Sequence, residues 1–151
     1  LLIELSVLSL ALLFVGQFVF LYLPAAIVVI ILQTFFVLGV GLALAALNVY
    51  FRDIEHLLQI LMLIWFYATP IIYDIGRVPE HHVIAGFNVP IKMIYDLNPM
   101  VHFIGAYRAI FYDIRVPTAS EYLIMTGWAV FAMLVGYGVF RKLEARFAEE
   151  L

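Results

Sequence analysis

A long stretch without charge constrains this chain more than any other feature of its sequence. Glu4 and Arg52 are separated by 47 residues, and none of these is Asp, Glu, Lys or Arg. A helix that crosses about 30 Å of hydrocarbon needs about 20 apolar residues, so this stretch is long enough for two crossings. Proline is tolerated in the first turn of a helix but not inside it. Because Pro24 marks such a first turn, we predict spans at about 3–22 and 25–47.

Two further apolar segments follow. Residues 57–73 carry no Asp, Glu, Lys or Arg, and we expect Pro70 to kink or end the helix that they form. A last uncharged stretch lies between Glu121 and Arg141 and predicts a span at about 121–140. The chain is 66% hydrophobic and 13% charged, against roughly 45–50% and 25% for a soluble domain. The sequence therefore predicts an all-α integral membrane protein, a polytopic helical bundle with about four transmembrane helices and no soluble domain.

The segment 74–119, between the last two spans, is rich in proline but is not a polar loop. Asn98 and Pro99 form a good helix start, with Asn as N-cap and Pro at the first helical position. The apolar residues 100–113 that follow are too few to cross a membrane, so we predict a short re-entrant or interfacial helix. An amphipathic helix that lies on the surface is the alternative.

Several classes of function lose support from composition. The net charge is −3 and no basic patch is visible, which argues against nucleic-acid binding. No cysteine is present, the adjacent His81 and His82 diverge rather than share a metal, and we predict no metal site. The lysines, Lys92 and Lys142, lie in no phosphate-binding loop, so any ATP must be hydrolysed by another chain. The later spans lack ionisable groups, which disfavours a proton-driven mechanism.

Two local patterns remain open from the residues alone. Five side chains of the third span share one face and either line a path for sugars or pack against neighbouring helices: Gln59, Met62, Phe66, Thr69 and Tyr73. The charged loop 48–56 is either a solvated helix end or a contact with another protein. Small residues on two spans predict close helix packing, at Gly41, Ala45 and Asn48 and at Ala129, Ala132 and Gly136.

Three ordered segments together carry a resemblance to a known family. They are Leu-Asn-Val-Tyr-Phe-Arg-Asp-Ile at 47–54, the stretch 65–73 that ends in Thr-Pro-Ile-Ile-Tyr, and Leu-Asn-Pro-Met at 97–100. They resemble the membrane subunits, or permeases, of ABC transporters that export lipid-linked polysaccharides such as O antigens, or polyol-phosphate polymers such as teichoic acids. The resemblance covers roughly residues 25–145.

The resemblance implies what the pattern leaves open. Such permeases have six spans, so this chain would supply the last four, and the absence of a first Met also leads us to expect sequence upstream. The loop 48–56 and the tail 141–151 would be cytoplasmic, and the segment 74–119 would be external. Positive charge alone gives no orientation, because four Lys or Arg lie on each side.

The resemblance also implies partners and roles. Two permeases and two ATP-binding subunits would form the working unit in the cytoplasmic membrane of a bacterium, with ATP and Mg²⁺ on the partner subunits and no cofactor on this chain. The polymer would pass between the permeases, beside Gln59, Phe66, Thr69 and Tyr73. The residues that would couple to the ATP-binding subunit are Tyr50, Phe51, Arg52, Asp53 and Glu55.

The sequence departs from the common family pattern at 80–89, which is longer than usual and leaves the shape of the external mouth open. Rival hypotheses are a membrane enzyme acting on lipid-linked sugars, which would use carboxylates such as Asp96 or Asp113, a structural membrane scaffold, and a drug or lipid exporter of the same superfamily.

Overall fold

The computed structural model describes residues 2–14, 19–50, 54–71, 82–84 and 87–144. These residues form six α-helices, one 3-10 turn and a two-stranded hairpin. In chain order the elements are α1 (Leu2–Phe14), the 3-10 turn Val19–Tyr22, α2 (Leu23–Tyr50), α3 (Ile54–Tyr67), β1 (His82–Ile84), β2 (Phe87–Val89), α4 (Ile91–Asp96), α5 (Pro99–Phe111) and α6 (Ala119–Glu144).

Helices α2 and α6 form the centre of the bundle. They contain 28 and 26 residues, which correspond to about 42 and 39 Å and exceed the roughly 30 Å of a hydrocarbon core. Within the described residues they are the two helices that are long and apolar enough to cross a membrane. They contain the predicted spans 25–47 and 121–140, and most of their side chains face outward, as expected where lipid is the solvent.

The two long helices run parallel and touch most closely at two glycines. Contacts between them advance in the same direction along both helices, because Pro24 lies near Tyr122 and Phe35 lies near Ala129. A Cβ added to Gly136 would come within 2.6 Å of the carbonyl carbon of Gly39, so only glycine permits this crossing. Because the helices are parallel, the end of α2 and the end of α6 lie at the same end of the bundle.

Helix α5 packs into the groove beside this pair. The ring of Phe103 lies 5.6 Å from that of Phe36 in the middle of α2, and the start of α5 shares a cleft with Val40. Farther along α5, Tyr107 reaches Gln33, so α5 runs antiparallel to α2 and alongside it. Helix α5 therefore packs on a long apolar helix, and its position relative to the membrane stays a prediction. The buried core joins α2, α5 and α6 through Ala26, Val29, Phe36, Phe103, Ala106, Ile110, Phe111, Met125, Ala129 and Ala132.

The other two predicted spans differ from the described helices. Helix α1 ends at Phe14 and is followed, after residues outside the described set, by a 3-10 turn, so the described part of 3–22 is not one continuous helix. Helix α3 ends at Tyr67, three residues before Pro70, as the prediction of a proline break requires. Its 14 residues give about 21 Å, which is shorter than the predicted span 57–73.

The described residues also include a short hairpin, which the sequence did not predict. Strands β1 and β2 pair antiparallel with His82 opposite Val89 and Ile84 opposite Phe87. The hairpin falls inside 80–89, the stretch that departs from the family pattern. Three-residue strands are too short to give a clear period-two signal, which is why the sequence did not predict them. The hairpin leads through Pro90 into α4. This helix has six residues, less than two helical turns, and it precedes the start of α5.

Candidate coupling and re-entrant site

Asn98 begins α5 as the sequence predicts. Its backbone is extended, with φ −82° and ψ 114°, and its side-chain Oδ1 accepts a hydrogen bond of 3.1 Å from the backbone N–H of Met100. Pro99 occupies the first helical position, where its missing N–H costs nothing. The predicted N-cap is therefore confirmed in its geometry.

The same amide also holds the end of α3. The indole Nε1 of Trp65 donates to Asn98 Oδ1 at 2.8 Å, and Asn98 Nδ2 donates to Thr69 Oγ1 at 3.0 Å and to the carbonyl of Ala68 at 3.3 Å. A side-chain amide offers two donors and an oxygen with two lone pairs. All four are used here, so this one side chain caps the start of α5 and binds the end of α3. We call the cluster of Trp65, Ala68, Thr69 and Asn98 the joint.

Thr69 belongs to this joint. It is 3% exposed, its hydroxyl donates to the carbonyl of Trp65 at 2.7 Å, and it accepts from Asn98. The sequence placed Thr69 among side chains that contact sugar. In the described conformation its hydroxyl is engaged within the protein, while its place in a substrate path stays a prediction.

The other side chains predicted to line a sugar path differ in where they lie. Gln59 and Phe66 lie exposed on α3, with Phe66 44% exposed, and both are placed to meet lipid, substrate or another subunit. Tyr73 lies outside the described residues. An apolar cleft of about 650 Å³ separates much of α3 from α2 and α4, with Trp65, Tyr95 and Asn98 among its lining residues.

Two of the predicted coupling residues flank the gap between α2 and α3. Tyr50 is the last residue of α2 and Glu55 is the second residue of α3. Phe51, Arg52 and Asp53 lie outside the described residues. Since α2 and α6 are parallel, this end of the bundle also carries Arg141 and Lys142 in the last turn of α6. That the loop and the tail lie on one side of the membrane stays a prediction.

A polar contact inside the bundle was missed by the sequence analysis. Tyr107 Oη donates to Gln33 Oε1 at 2.6 Å, which ties the middle of α5 to α2. The signal was present, because Gln33 is an amide within the long uncharged stretch and such a group needs a partner in lipid. Its partner is 74 residues away and cannot be inferred from local spacing.

An ion pair and a capping box, which were not predicted from the sequence, fix the turn between α5 and α6. Arg115 makes a bidentate pair with Glu121, at 3.0 and 2.9 Å, and the Glu121 carboxylate accepts from the backbone N–H of Thr118 at 2.6 Å. The backbone N–H of Glu121 returns a bond to Thr118 Oγ1 at 3.4 Å. Thr-x-x-Glu is a capping box, so the sequence did carry this signal. The hydrogen bond to Glu121 is the main cause that raises the pKa of Arg115 above its ordinary value.

The described residues offer no metal centre. No group of three or more His, Cys, Asp or Glu side chains comes together within them. The two carboxylates considered for a membrane enzyme, Asp96 and Asp113, belong to opposite ends of α5, since Asp96 precedes its start and Asp113 follows its end. The features that the described residues do form at this site are the joint at Asn98 and apolar helix faces.

Comparison with known proteins places the chain in a family. The family model for "ABC-2 type transporter" matches residues 1–112. The chain is 32% identical over 124 residues to the O-antigen export system permease protein RfbA of Myxococcus xanthus, covering 82% of this chain and 45% of the relative. It is 31% and 30% identical over 120 residues to two proteins of the same name from Klebsiella pneumoniae, covering 79% of this chain and 42% of each.

The chain thus spans less than half the length of the curated relatives that it matches. The comparison with solved structures gives no match. The family match covers α1 to α5, including the joint at Asn98 and the loop predicted for coupling. From this match and its long apolar helices, the chain is a membrane protein that belongs to the ABC-2 type transporter family.

Proposed function

We propose that this chain is the transmembrane part of an ATP-driven exporter that moves an O-antigen-like, lipid-linked polysaccharide across the cytoplasmic membrane of a bacterium. The observation that carries the proposal is the similarity to three O-antigen export permeases over about four-fifths of the chain. The names of these relatives favour a polysaccharide over a teichoic acid polymer. The chain makes and breaks no bonds in this proposal, and a separate subunit binds and hydrolyses ATP with Mg²⁺.

The proposed topology has the loop 48–56 and the tail 141–151 in the cytoplasm, with four crossings that are the last four of a six-span permease. The third crossing starts in α3, whose 14 residues cover only about 21 Å. Helix α5 begins near the end of α3 and continues along α2 past Phe36 and Gln33. These contacts support a re-entrant α5 that fills the outer part of the membrane above α3.

The proposed working unit contains two permeases and two ATP-binding subunits, with the polymer path between the permeases. Exposed apolar side chains on α3 need lipid, upstream helices or a second copy to cover them, and the proposed unit supplies a second copy. Gln59, Phe66, Thr69 and Tyr73 remain the candidates for sugar contact. Aromatic rings stack on sugar faces and an amide supplies hydrogen bonds, so a loosely binding path is chemically reasonable.

The test uses the complete permease, co-expressed with the proposed ATP-binding subunit and reconstituted into proteoliposomes. We expect the two to copurify, and ATP-dependent export of a labelled lipid-linked O-antigen chain. Arg52→Ala combined with Asp53→Ala should abolish the coupling of ATP hydrolysis to export.

Arg141→Ala combined with Glu144→Ala is the matched control. It removes an exposed ion pair of 3.7 Å near the same end of the bundle, and such pairs contribute little to stability. Loss of export in both double variants would remove the coupling role from the loop. Absence of a stable ATP-binding partner would refute the exporter assignment and return the enzyme and scaffold hypotheses.

A further inference from the structure

We propose that Asn98 is a positioning residue that joins the end of α3 to the start of α5, so that the two helices move as one unit during transport. The inference rests on the proposed function and specifies how movement at the ATP-binding subunit reaches the re-entrant helix. It arises from contacts of Asn98 with Trp65 and Thr69, which lie 33 and 29 residues before it along the chain.

Within the described residues, helix α3 is weakly held along its length. Most of its large apolar side chains are exposed, and the 650 Å³ cleft lies between it and α2. Its end is different, because Trp65, Ala68 and Thr69 all bond to Asn98 there. Just beyond that end, Arg108 of α5 reaches the carbonyl of Ile71 at 3.5 Å. Force applied to α3 is therefore transmitted at its end, into α5.

The other end of α3 adjoins the segment predicted to meet the ATP-binding subunit. Ile54 is the first residue of α3 and directly follows Asp53. Helix α5 in turn is packed on α2 through Phe103 and Tyr107. The loop is thus linked to α3 along the chain, α3 is linked to α5 by contacts with Asn98, and α5 is linked to the core by packing.

The chemistry of the joint requires an amide of this length. Thr69 already donates its proton to the carbonyl of Trp65, and a carbonyl such as that of Ala68 can only accept. Asp at position 98 would place an acceptor where both groups need a donor. Ser would still cap α5 but is too short to reach Trp65 and Thr69.

The surroundings make the joint hard to open. Helix ends leave carbonyl and N–H groups without partners, and hydrocarbon offers no water to replace a lost one. Asn98 satisfies a carbonyl at the end of α3 and an N–H at the start of α5. Separating the two helices would leave the Ala68 carbonyl and the Trp65 indole N–H without these partners. Moving α3 and α5 together avoids that cost.

The experiment measures polymer exported per ATP hydrolysed by the reconstituted complete transporter. Asn98→Ser, Trp65→Phe and Thr69→Val each remove links of the joint, and we expect each to lower that ratio roughly fivefold while copurification and ATP hydrolysis persist. Thr69→Ser keeps the hydroxyl and should retain the wild-type ratio. If Asn98→Ser fails to accumulate in the membrane, Trp65→Phe and Thr69→Val decide the question.

Thr34→Val is the matched control for Thr69→Val. The exposed Thr34 hydroxyl makes the same kind of bond, to the carbonyl of Ile30 at 2.7 Å, and its loss should leave the ratio unchanged. Combining Trp65→Phe with Asn98→Ser should cost no more than Asn98→Ser alone, because the two residues share one bond.

The outcomes separate this inference from the proposed function. If the wild type exports polymer and the joint variants keep its ratio, or if Thr34→Val lowers it equally, Asn98 does not relay movement and the exporter assignment survives. If the wild type shows no ATP-dependent export with its partner, the exporter assignment itself fails.

Discussion

Replacing Gly136 tests whether α2 and α6 really depend on contact between their backbones. A Cβ at this position would lie 2.6 Å from the carbonyl carbon of Gly39, whereas carbon atoms pack at about 3.5–4.0 Å. In Gly136→Ala the helices must therefore separate by about 1 Å or more. Overpacking of this kind costs about 1–3 kcal/mol, which exceeds the gain of at most about 1 kcal/mol from the higher helix propensity of alanine.

The assay is the midpoint of SDS-induced unfolding of the complete permease in mixed micelles. Gly138→Ala is the control, because it lies on the same helix and a Cβ there meets nothing within 4 Å. We expect the midpoint to fall for Gly136→Ala and to stay or rise for Gly138→Ala. Equal midpoints for the two variants would refute the close crossing and the packing derived from it.

Two more perturbations follow from polar contacts. Gln33→Leu leaves the Tyr107 hydroxyl without its acceptor, and we expect a loss of about 0.6–1.7 kcal/mol in the same unfolding assay. Tyr107→Phe should cost a similar amount, and additive losses in the double variant would contradict a shared bond. Thr118→Ala removes the capping box at the start of α6 and should cost about 1 kcal/mol. Hydrogen exchange should then rise in the first turn of α6 alone, and an unchanged first turn would show that the Arg115 pair suffices to hold it.

Charge spacing predicted the long helices because lipid tolerates few ionised groups. The bounds of α2 and α6 agree with the predicted spans 25–47 and 121–140 to within a few residues. The start of α5 was equally predictable, because Asn followed by Pro carries its own local geometry. Each of these signals depends on residues that are neighbours in sequence.

The contact faces were harder to predict. Ala129, Ala132 and Gly136 do face the core, but on α2 the close approach uses Gly39, whereas Gly41 meets nothing within 4 Å and Ala45 is exposed. A helix that is apolar all around has no polar face to show which side is buried. The joint at Asn98 was also hidden, because its partners are about 30 residues away and only the folded bundle brings them together.

The meeting of α3 and α5 has an electrostatic consequence. The last turn of a helix carries partial negative charge and the first turn carries partial positive charge. At Asn98 the last turn of α3 and the first turn of α5 lie side by side, so these partial charges largely cancel. The meeting of the end of α3 and the start of α5 therefore creates little electric field of its own. In the proposed exporter, a polymer that bears phosphate groups would be neither trapped nor repelled at this point.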